Sequence, residues 1–252
     1  MTNRKILVTG SSRGIGQAIA AAFAAAGDQV AIHHRDNTDL AARVVASLPG
    51  DGHVVVQADI ADPPAVRTMV DEAASRLGGL DVLVNNAASY GRVAPPIAEV
   101  SYEQWQRVWR DTIDLNLVGA ANVTWCAVQH MIAGGGGRIV NVSSRGAFRG
   151  EPGQPAYGAS KAGLNALGQS LAVALAPLGI TVAAVAPGFV QTDMAAPHLD
   201  GETGAAIRAQ SPFGRVARPA EIAAAVLFLA SPEAEWASGA ILDLNGASYL
   251  RT

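Results

Sequence analysis

The chain has 252 residues, of which 50% are hydrophobic and 15% charged, and its formal net charge is −3. A chain of this length and composition can bury a sizeable core, but its charge provides no basic field for nucleic acid or an anionic membrane. The single cysteine excludes an internal disulfide, and no apolar segment of signal-peptide length precedes the first glycine, so we expect a cytoplasmic protein.

Short apolar runs alternate along the chain with longer segments of helical pattern, which predicts an α/β fold. We expect a Rossmann-type doubly wound parallel sheet of about seven strands with helices on both faces. Residues 1–252 would form a single domain, with a mobile lid at 189–215. The predicted strands lie at 5–10, 29–34, 53–59, 80–86, 137–144, 179–188 and 239–246, and the predicted helices at 14–26, 37–48, 63–77, 101–133, 155–177 and 219–230.

Two long tracts, 115–137 and 162–192, contain no Asp, Glu, Lys or Arg. Polar residues and prolines interrupt both, so neither has the apolar run of about 18 residues that a membrane span requires. A helix with so little charge is covered on most of its surface. We therefore expect a homo-oligomer, a tetramer or a dimer, that forms through the helices at 101–133 and 155–177.

The segment TGSSRGIG, at 9–16, follows the first predicted strand and opens the first predicted helix. Gly10, Gly14 and Gly16 would allow a tight turn that approaches a pyrophosphate, and the helix N-terminus would supply N–H donors. A glycine-rich turn is a weak signal by itself, but its position between strand and helix favours dinucleotide binding.

The end of the second predicted strand indicates which dinucleotide is bound. An acid at this place accepts hydrogen bonds from the ribose of NAD, but here the strand ends in His33 and His34, and Arg35 follows. Arg35 and Arg13 could hold a 2′-phosphate, which predicts NADPH over NADH, although NADH remains possible and both arginines could instead be solvated surface residues. Asp59, at the end of the third strand, could accept from the adenine amino group.

The segment YGASK places a phenol and an ammonium four residues apart. In a helix, Tyr157 and Lys161 would lie one turn apart on one face, and the lysine would lower the pKa of the phenol. This arrangement can make a general acid of the tyrosine. The five histidines show no metal-ligand spacing, so we expect no metal site.

These features occur in an order that resembles the short-chain dehydrogenase/reductase family over essentially the whole chain, most closely its bacterial 3-oxoacyl-thioester-reductase and glucose-dehydrogenase-like members. The shared motifs are TGSSRGIG at 9–16, NNAA at 85–88, Asn116 in a long helix, VSS at 142–144, YGASK at 157–161 and PGFVQT at 187–192. The resemblance implies that Tyr157 is the general acid and that Ser144 positions the substrate oxygen. It also implies that Lys161 holds the nicotinamide ribose and that Asn116 kinks its helix and holds a relay water. Ser143 would point away from Ser144 and is not chosen.

The resemblance further implies the residues that contact the cofactor. They come from the glycine-rich turn, the ends of the second, third and fourth strands, the catalytic helix and the segment after the sixth strand. They are Gly10, Ser12, Arg13, Gly14, Ile15, Gly16, His34, Arg35, Asp59, Ile60, Asn86, Ala87, Ala88, Tyr157, Lys161, Pro187, Gly188, Val190 and Thr192.

Two positions depart from the family pattern. Ala88 stands where the family usually has glycine, so a methyl group could narrow the site. Trp105 lies further from Asn116 than the family spacing, unless Trp109 takes that place, and neither arrangement suggests a function.

Three functions remain open at this point. The first is NADPH-dependent reduction of a ketone or 3-oxoacyl thioester, and the second is NAD(P)-dependent oxidation of a sugar, polyol or other secondary alcohol. The third, a non-enzymatic dinucleotide sensor, is disfavoured because such proteins typically lose the tyrosine or the lysine. Arg145, Arg149 and Glu151, in a loop beside the site, could bind a polar or anionic substrate or could be solvated charges.

Overall fold

A computed structural model of the chain describes residues 3–90, 96–192 and 195–251. Within these ranges the chain forms one parallel sheet of seven strands in the order β3-β2-β1-β4-β5-β6-β7. The strands are β1 (Lys5–Val8), β2 (Gln29–His34), β3 (Val54–Gln57), β4 (Val82–Asn85), β5 (Gly137–Val142), β6 (Ile180–Pro187) and β7 (Ile241–Leu244). The predicted doubly wound fold is therefore confirmed.

Helices cover both faces of the sheet. They are α1 (Gly14–Ala25), α2 (Thr38–Ser47), α3 (Pro63–Leu77), α4 (Tyr102–Ile113), α5 (Ala120–Gly134), α6 (Pro155–Leu175), α7 (Ala196–Leu199), α8 (Gly201–Ala209) and α9 (Pro219–Leu229). No helix in the described ranges is long and apolar enough to cross a membrane. Local sequence sets several boundaries; for example, α3 begins after the capping carboxylate of Asp62 and ends at Gly78, whose φ of 80° favours glycine.

The sheet separates two hydrophobic cores, as a parallel sheet buried on both faces requires. One core packs α1, α2 and α9 on one face, with Phe23 and Ile222 fully buried within it. The other packs α3, α5 and α6 on the opposite face, with Met69 and Met131 at its centre. The sheet is therefore held from both sides, and its carboxyl edge is left to form a site.

Several predicted strands are longer than the observed ones at this carboxyl edge. The predicted strands at 5–10 and 137–144 end their pairing at Val8 and Val142. The residues that follow leave the strand ladder at the carboxyl edge of the sheet. The family motifs therefore lie where the strands end.

The long helix predicted at 101–133 is interrupted by a π-helical turn, Asp114–Gly119, between α4 and α5. Asn116 lies in this turn. Such turns are rare and often occur at functional sites. Within 189–215, predicted to be a mobile lid, the described residues include the short helices α7 and α8, whose glycines and prolines obscure the helical period.

Candidate active site

A cleft with a cavity volume of about 450 Å³ opens at the carboxyl edge of the sheet. It lies beside β1 and β4, where the strand order reverses and where doubly wound folds bind their ligands. Each residue predicted to contact the cofactor lines this cleft, as do Ser144, Tyr157 and Lys161. Residues distant in sequence are thus brought to one place.

The glycine-rich turn is held tightly against the end of β4. Gly10 has a φ of +64°, and a Cβ at this position would lie 2.9 Å from Cα of Ala87. The side-chain amide of Asn86 donates to the carbonyl oxygens of Thr9, at 2.8 Å, and Gly10, at 3.1 Å. Asn86 therefore lines the cleft while its amide holds the turn in shape.

The residues of the turn fit a dinucleotide. The side chain of Arg13, which precedes α1, does not cap the helix by a hydrogen bond. The N–H donors of the first turn can therefore bind an anionic phosphate. The buried Nδ1 atom of His34, in the same cleft, has no hydrogen-bond partner in the described part of the chain. Both observations favour a polar ligand.

His33 has a role that the sequence analysis did not assign. Its Nδ1 accepts from the N–H of Gly10 at 2.9 Å, and its Nε2 lies 3.1 Å from the carbonyl oxygen of Ala58. Burial is the main effect that lowers its pKa to about 4. A neutral imidazole therefore connects the glycine-rich turn to Ala58, the residue after β3. The sequence alone could not predict this contact, because it depends on both segments meeting at the same edge of the sheet.

The predicted phosphate-binding arginine is near the cleft but already has a partner. The Nε atom of Arg35 lies 2.6 Å from a carboxylate oxygen of Asp36, and both side chains are exposed. Exposed ion pairs are weak, so Arg35 can turn towards a stronger anion. The Oδ1 atom of Asp59 accepts from the N–H of Ala61 at 3.0 Å.

The predicted acid, serine and lysine meet in the middle of the cleft. Ser144 accepts from the N–H of Gly146 at 3.0 Å, and a Cβ at Gly146 would lie 3.3 Å from Oγ of Ser144 and 3.8 Å from Cε1 of Tyr157, so both side chains flank the same residue. Ser143 instead directs its hydroxyl towards the carbonyl oxygen of Lys161, at 3.4 Å. The geometry therefore places Ser144, rather than Ser143, beside the phenol.

The ionisation of Tyr157 and Lys161 differs from the prediction. Burial is the main effect that raises the pKa of Tyr157, and Ser144 partly opposes it. Lys161 donates from Nζ to the carbonyl oxygen of Val142 at 2.8 Å, and Nζ lies 5.8 Å from the centroid of the Tyr157 ring. Burial lowers the pKa of Lys161 to about 8. The expectation that the lysine would lower the pKa of the phenol is wrong for this arrangement, because burial outweighs the distant ammonium.

Asn116 fastens the loop that follows β4. Its Oδ1 accepts from the N–H of Ser89 and its Nδ2 donates to the carbonyl oxygen of Ser89, both at 2.9 Å. Nδ2 also lies 3.2 Å from the hydroxyl of Ser160, which donates to the carbonyl oxygen of Tyr157. The π-helical turn therefore supports both the loop and α6, the helix that carries Tyr157.

Tyr90, to which the sequence analysis gave no role, lies on the ring of Tyr157. The two ring centroids are 4.6 Å apart and the ring planes differ by 25°. No sequence pattern marks Tyr90, because its position depends on the contact between Asn116 and the loop.

Arg145 is buried, so it is neither a solvated charge nor a free cation for a substrate. It donates to the hydroxyl of Ser248 at 2.7 Å, lies 3.4 Å from Glu151 and stands over the Phe189 ring at 5.1 Å. It therefore braces the wall of the site. Arg149 bonds to Gln210 at 3.2 Å, which connects this wall to α8.

Comparisons with known proteins agree with the fold. A family model described as enoyl-(acyl carrier protein) reductase matches residues 10–246. The chain is 39% identical to the 3-oxoacyl-[acyl-carrier-protein] reductase FabG of Staphylococcus aureus, over 98% of each chain. It is 40% identical to the cis-4-hydroxycyclohexanecarboxylate dehydrogenase of Sinomonas cyclohexanicum, over 96% of this chain and 95% of that one. A short chain dehydrogenase from Burkholderia cenocepacia, solved in complex with NADP, superposes with a TM-score of 0.86 at 36% identity, over 98% of each chain.

The fold and the site define an oxidoreductase that binds a nicotinamide dinucleotide and acts on CH–OH or C=O groups. The chain belongs to the short-chain dehydrogenase/reductase family. The predicted resemblance is confirmed, and a non-enzymatic dinucleotide sensor is no longer a candidate.

Proposed function

We propose that the protein is a cytoplasmic, NADPH-dependent reductase that converts a ketone or a 3-oxoacyl thioester to a secondary alcohol. The placement of Ser144 and Tyr157 side by side in the cleft carries this proposal, because their two hydroxyls can serve one carbonyl oxygen. The similarity to a 3-oxoacyl-[acyl-carrier-protein] reductase supports the thioester class.

Each residue of the site has a chemical task. A nicotinamide dinucleotide held in the cleft would supply hydride to the carbonyl carbon. Ser144 holds the carbonyl oxygen in position, and Tyr157 gives it a proton. The ammonium of Lys161, one turn further along α6, would bind the ribose hydroxyls, while Asn116 keeps the loop in place and holds a water that returns the proton.

The preference for NADPH is part of the proposal. Arg13 and Arg35 both line the adenosine end of the cleft, and β2 ends in His34 rather than in an acid. Two guanidinium groups suit the additional phosphate, and the solved relative that contains NADP supports this choice. Lid movement at 189–215 would close the site over the substrate.

A second candidate function has one observation in its favour. The similarity to cis-4-hydroxycyclohexanecarboxylate dehydrogenase supports oxidation of a secondary alcohol. In this direction Tyr157 acts as the base.

The test is oxidation of NADPH in the presence of an acetoacetyl thioester, with NADH measured in parallel. We expect NADPH-selective turnover, and Tyr157→Phe should abolish it while NADPH binding stays nearly unchanged, because the ring remains and only the proton is lost. Turnover without cofactor preference would contradict the role of the arginines, and unchanged turnover in Tyr157→Phe would reject Tyr157 as the acid. Turnover with secondary alcohols alone would favour the second candidate.

A further inference from the structure

The segment that follows β7 contacts the loop that follows Ser144. The guanidinium of Arg145, the next residue in the chain, donates to the hydroxyl of Ser248 at 2.7 Å. The side chain of Arg145 is only 5% exposed, and a buried donor that loses its acceptor is costly. Ser248 is therefore a fixed partner that keeps the residue after Ser144 in place.

Two further side chains of the same segment hold the other end of this loop. The hydroxyl of Tyr249 donates to the carbonyl oxygen of Phe148 at 3.3 Å, and the guanidinium of Arg251 lies 4.3 Å from the centroid of the Phe148 ring. Arg251 is itself attached to β7, where it donates to the carboxylate of Asp243 and to the carbonyl oxygen of Ile241, both at 2.7 Å. The loop at 145–148 is thus connected at both ends to β7 and the residues after it.

The segment reaches the loop through a turn with an unusual backbone. Gly246 and Ala247 have φ angles of 59° and 58°, and within the described ranges Ala247 is the only residue other than glycine with a positive φ. Alanine rarely adopts this conformation, and such strain persists only where the surrounding contacts enforce it. The strain therefore indicates that Ser248 and Tyr249 are held in place by their contacts.

The same segment also packs against the residue that follows β6. A Cβ added to Gly188, which lines the cleft, would lie 3.1 Å from the Cα atom of Asn245. The ladder that joins β5 to β6 ends with the pair Val142 and Val185, before Ser144 and Gly188 are reached. One segment therefore contacts both the loop of the substrate-binding serine and the wall of the cleft that continues from β6.

We propose that residues 245–251 position Ser144 for the reaction, and that Ser248 is a positioning residue that acts through Arg145. This inference rests on the proposed role of Ser144 as the group that holds the substrate oxygen. When the contact between Ser248 and Arg145 is lost, the loop shifts and the Ser144 hydroxyl moves away from its productive position. The glycine-rich turn and the end of β2 stay in place, so the loss falls on kcat and not on the binding of NADPH.

Ser248→Ala tests this inference because it removes only the hydroxyl that Arg145 binds. We expect kcat for an acetoacetyl thioester to fall about tenfold, since misplacing a positioning group by about 1 Å can cost on the order of a hundredfold. The Kd of NADPH should be unchanged. Ser248→Thr keeps the hydroxyl and should have a kcat close to that of the wild type. The matched control is Ser75→Ala at an exposed position of α3, which should change neither quantity.

A second comparison separates positioning from a general loss of structure. If Ser248 acts through Ser144, its removal costs little in an enzyme that already lacks the Ser144 hydroxyl. Ser248→Ala should therefore lower kcat much less in the Ser144→Ala background than in the wild-type background, because the effects of coupled residues do not add.

The outcomes distinguish this inference from the proposed function. A wild-type kcat in Ser248→Ala, or an equal fall in the two backgrounds, overturns the positioning role and leaves the reductase function standing. The same comparison applies to a secondary alcohol with NADP+, because Ser144 holds the oxygen in both directions of the reaction. If the wild-type enzyme turns over neither class of substrate, the proposed function fails and the positioning role fails with it.

Discussion

At the scale of single residues, His33 shows how a side chain with no assigned chemistry can support a cofactor site. Its imidazole accepts from Gly10 and bonds to the carbonyl of Ala58, and it can do so only while Nδ1 has no proton. The ring therefore ties the shape of the glycine-rich turn to its own neutral state.

This neutral state makes the stability of the protein depend on pH. The pKa of His33 is about 4 in the folded protein against 6.5 for the free side chain, mainly through burial, with His34 and Asp59 as the nearby charges. Because the unfolded chain binds this proton first, the free energy of unfolding falls as the pH is lowered from about 6.5 to about 4.

We expect His33→Asn to reduce this dependence, since an amide can accept from Gly10 but does not titrate. Between about pH 7 and about pH 5, urea denaturation should show that the wild-type protein loses about 2 kcal/mol more unfolding free energy than the variant. Equal losses in the two proteins would contradict the prediction.

The residue scale also shows where sequence reasoning stops. The sequence places three residues in one site because their motifs follow the ends of predicted strands: Ser144, Tyr157 and Lys161. Tyr90 and His33 could not, because each depends on a contact between segments separated by 23 or more residues in the chain. The ionisation of Tyr157 was also unpredictable, since burial and not its spacing from Lys161 sets the direction.

At the scale of elements, the π-helical turn at Asp114–Gly119 depends on close backbone approach. Gly119 packs against the loop after β3, where a Cβ would lie 2.6 Å from the carbonyl oxygen of Ile60 and 3.2 Å from that of Asp114. The alternation of strands and helices could be predicted from hydrophobic periodicity, but this turn could not, because a single extra residue in a helix leaves no visible break in the pattern.

Gly119→Ala should therefore destabilise the protein by about 1–3 kcal/mol, because backbone atoms would have to move. The matched control is Gly134→Ala at the end of α5, where nothing lies within 4 Å of the added Cβ and where alanine favours a helix. Urea denaturation of both variants gives the comparison. A Gly119→Ala protein as stable as the control would show that the turn tolerates the methyl group.

At the scale of the whole molecule, the charge-poor helices present apolar side chains on the surface of the chain. Trp125 on α5 is 56% exposed and Val173 on α6 is 79% exposed. A large apolar surface of this kind marks a protein interface, which supports the proposed homotetramer or homodimer through these helices.

Val173→Asp should disrupt this assembly, because a buried unpaired carboxylate is costly at an interface. Sedimentation at micromolar concentration should show an oligomer for the wild-type chain and smaller species for the variant. Ala42→Asp, on the exposed side of α2, is the control and should sediment as the wild type does. A wild-type monomer would contradict the interface altogether.

The π-helical turn has one further consequence, because it lies between this surface and the active site. Asn116 binds Ser89 inside the molecule, and Val118, two residues later in the same turn, is exposed. A second chain packed on α5 would press on the backbone that holds the loop over Tyr157. The activity of each active site would then depend on protein concentration. Dilution would separate the chains and lower the activity although no inhibitor is bound.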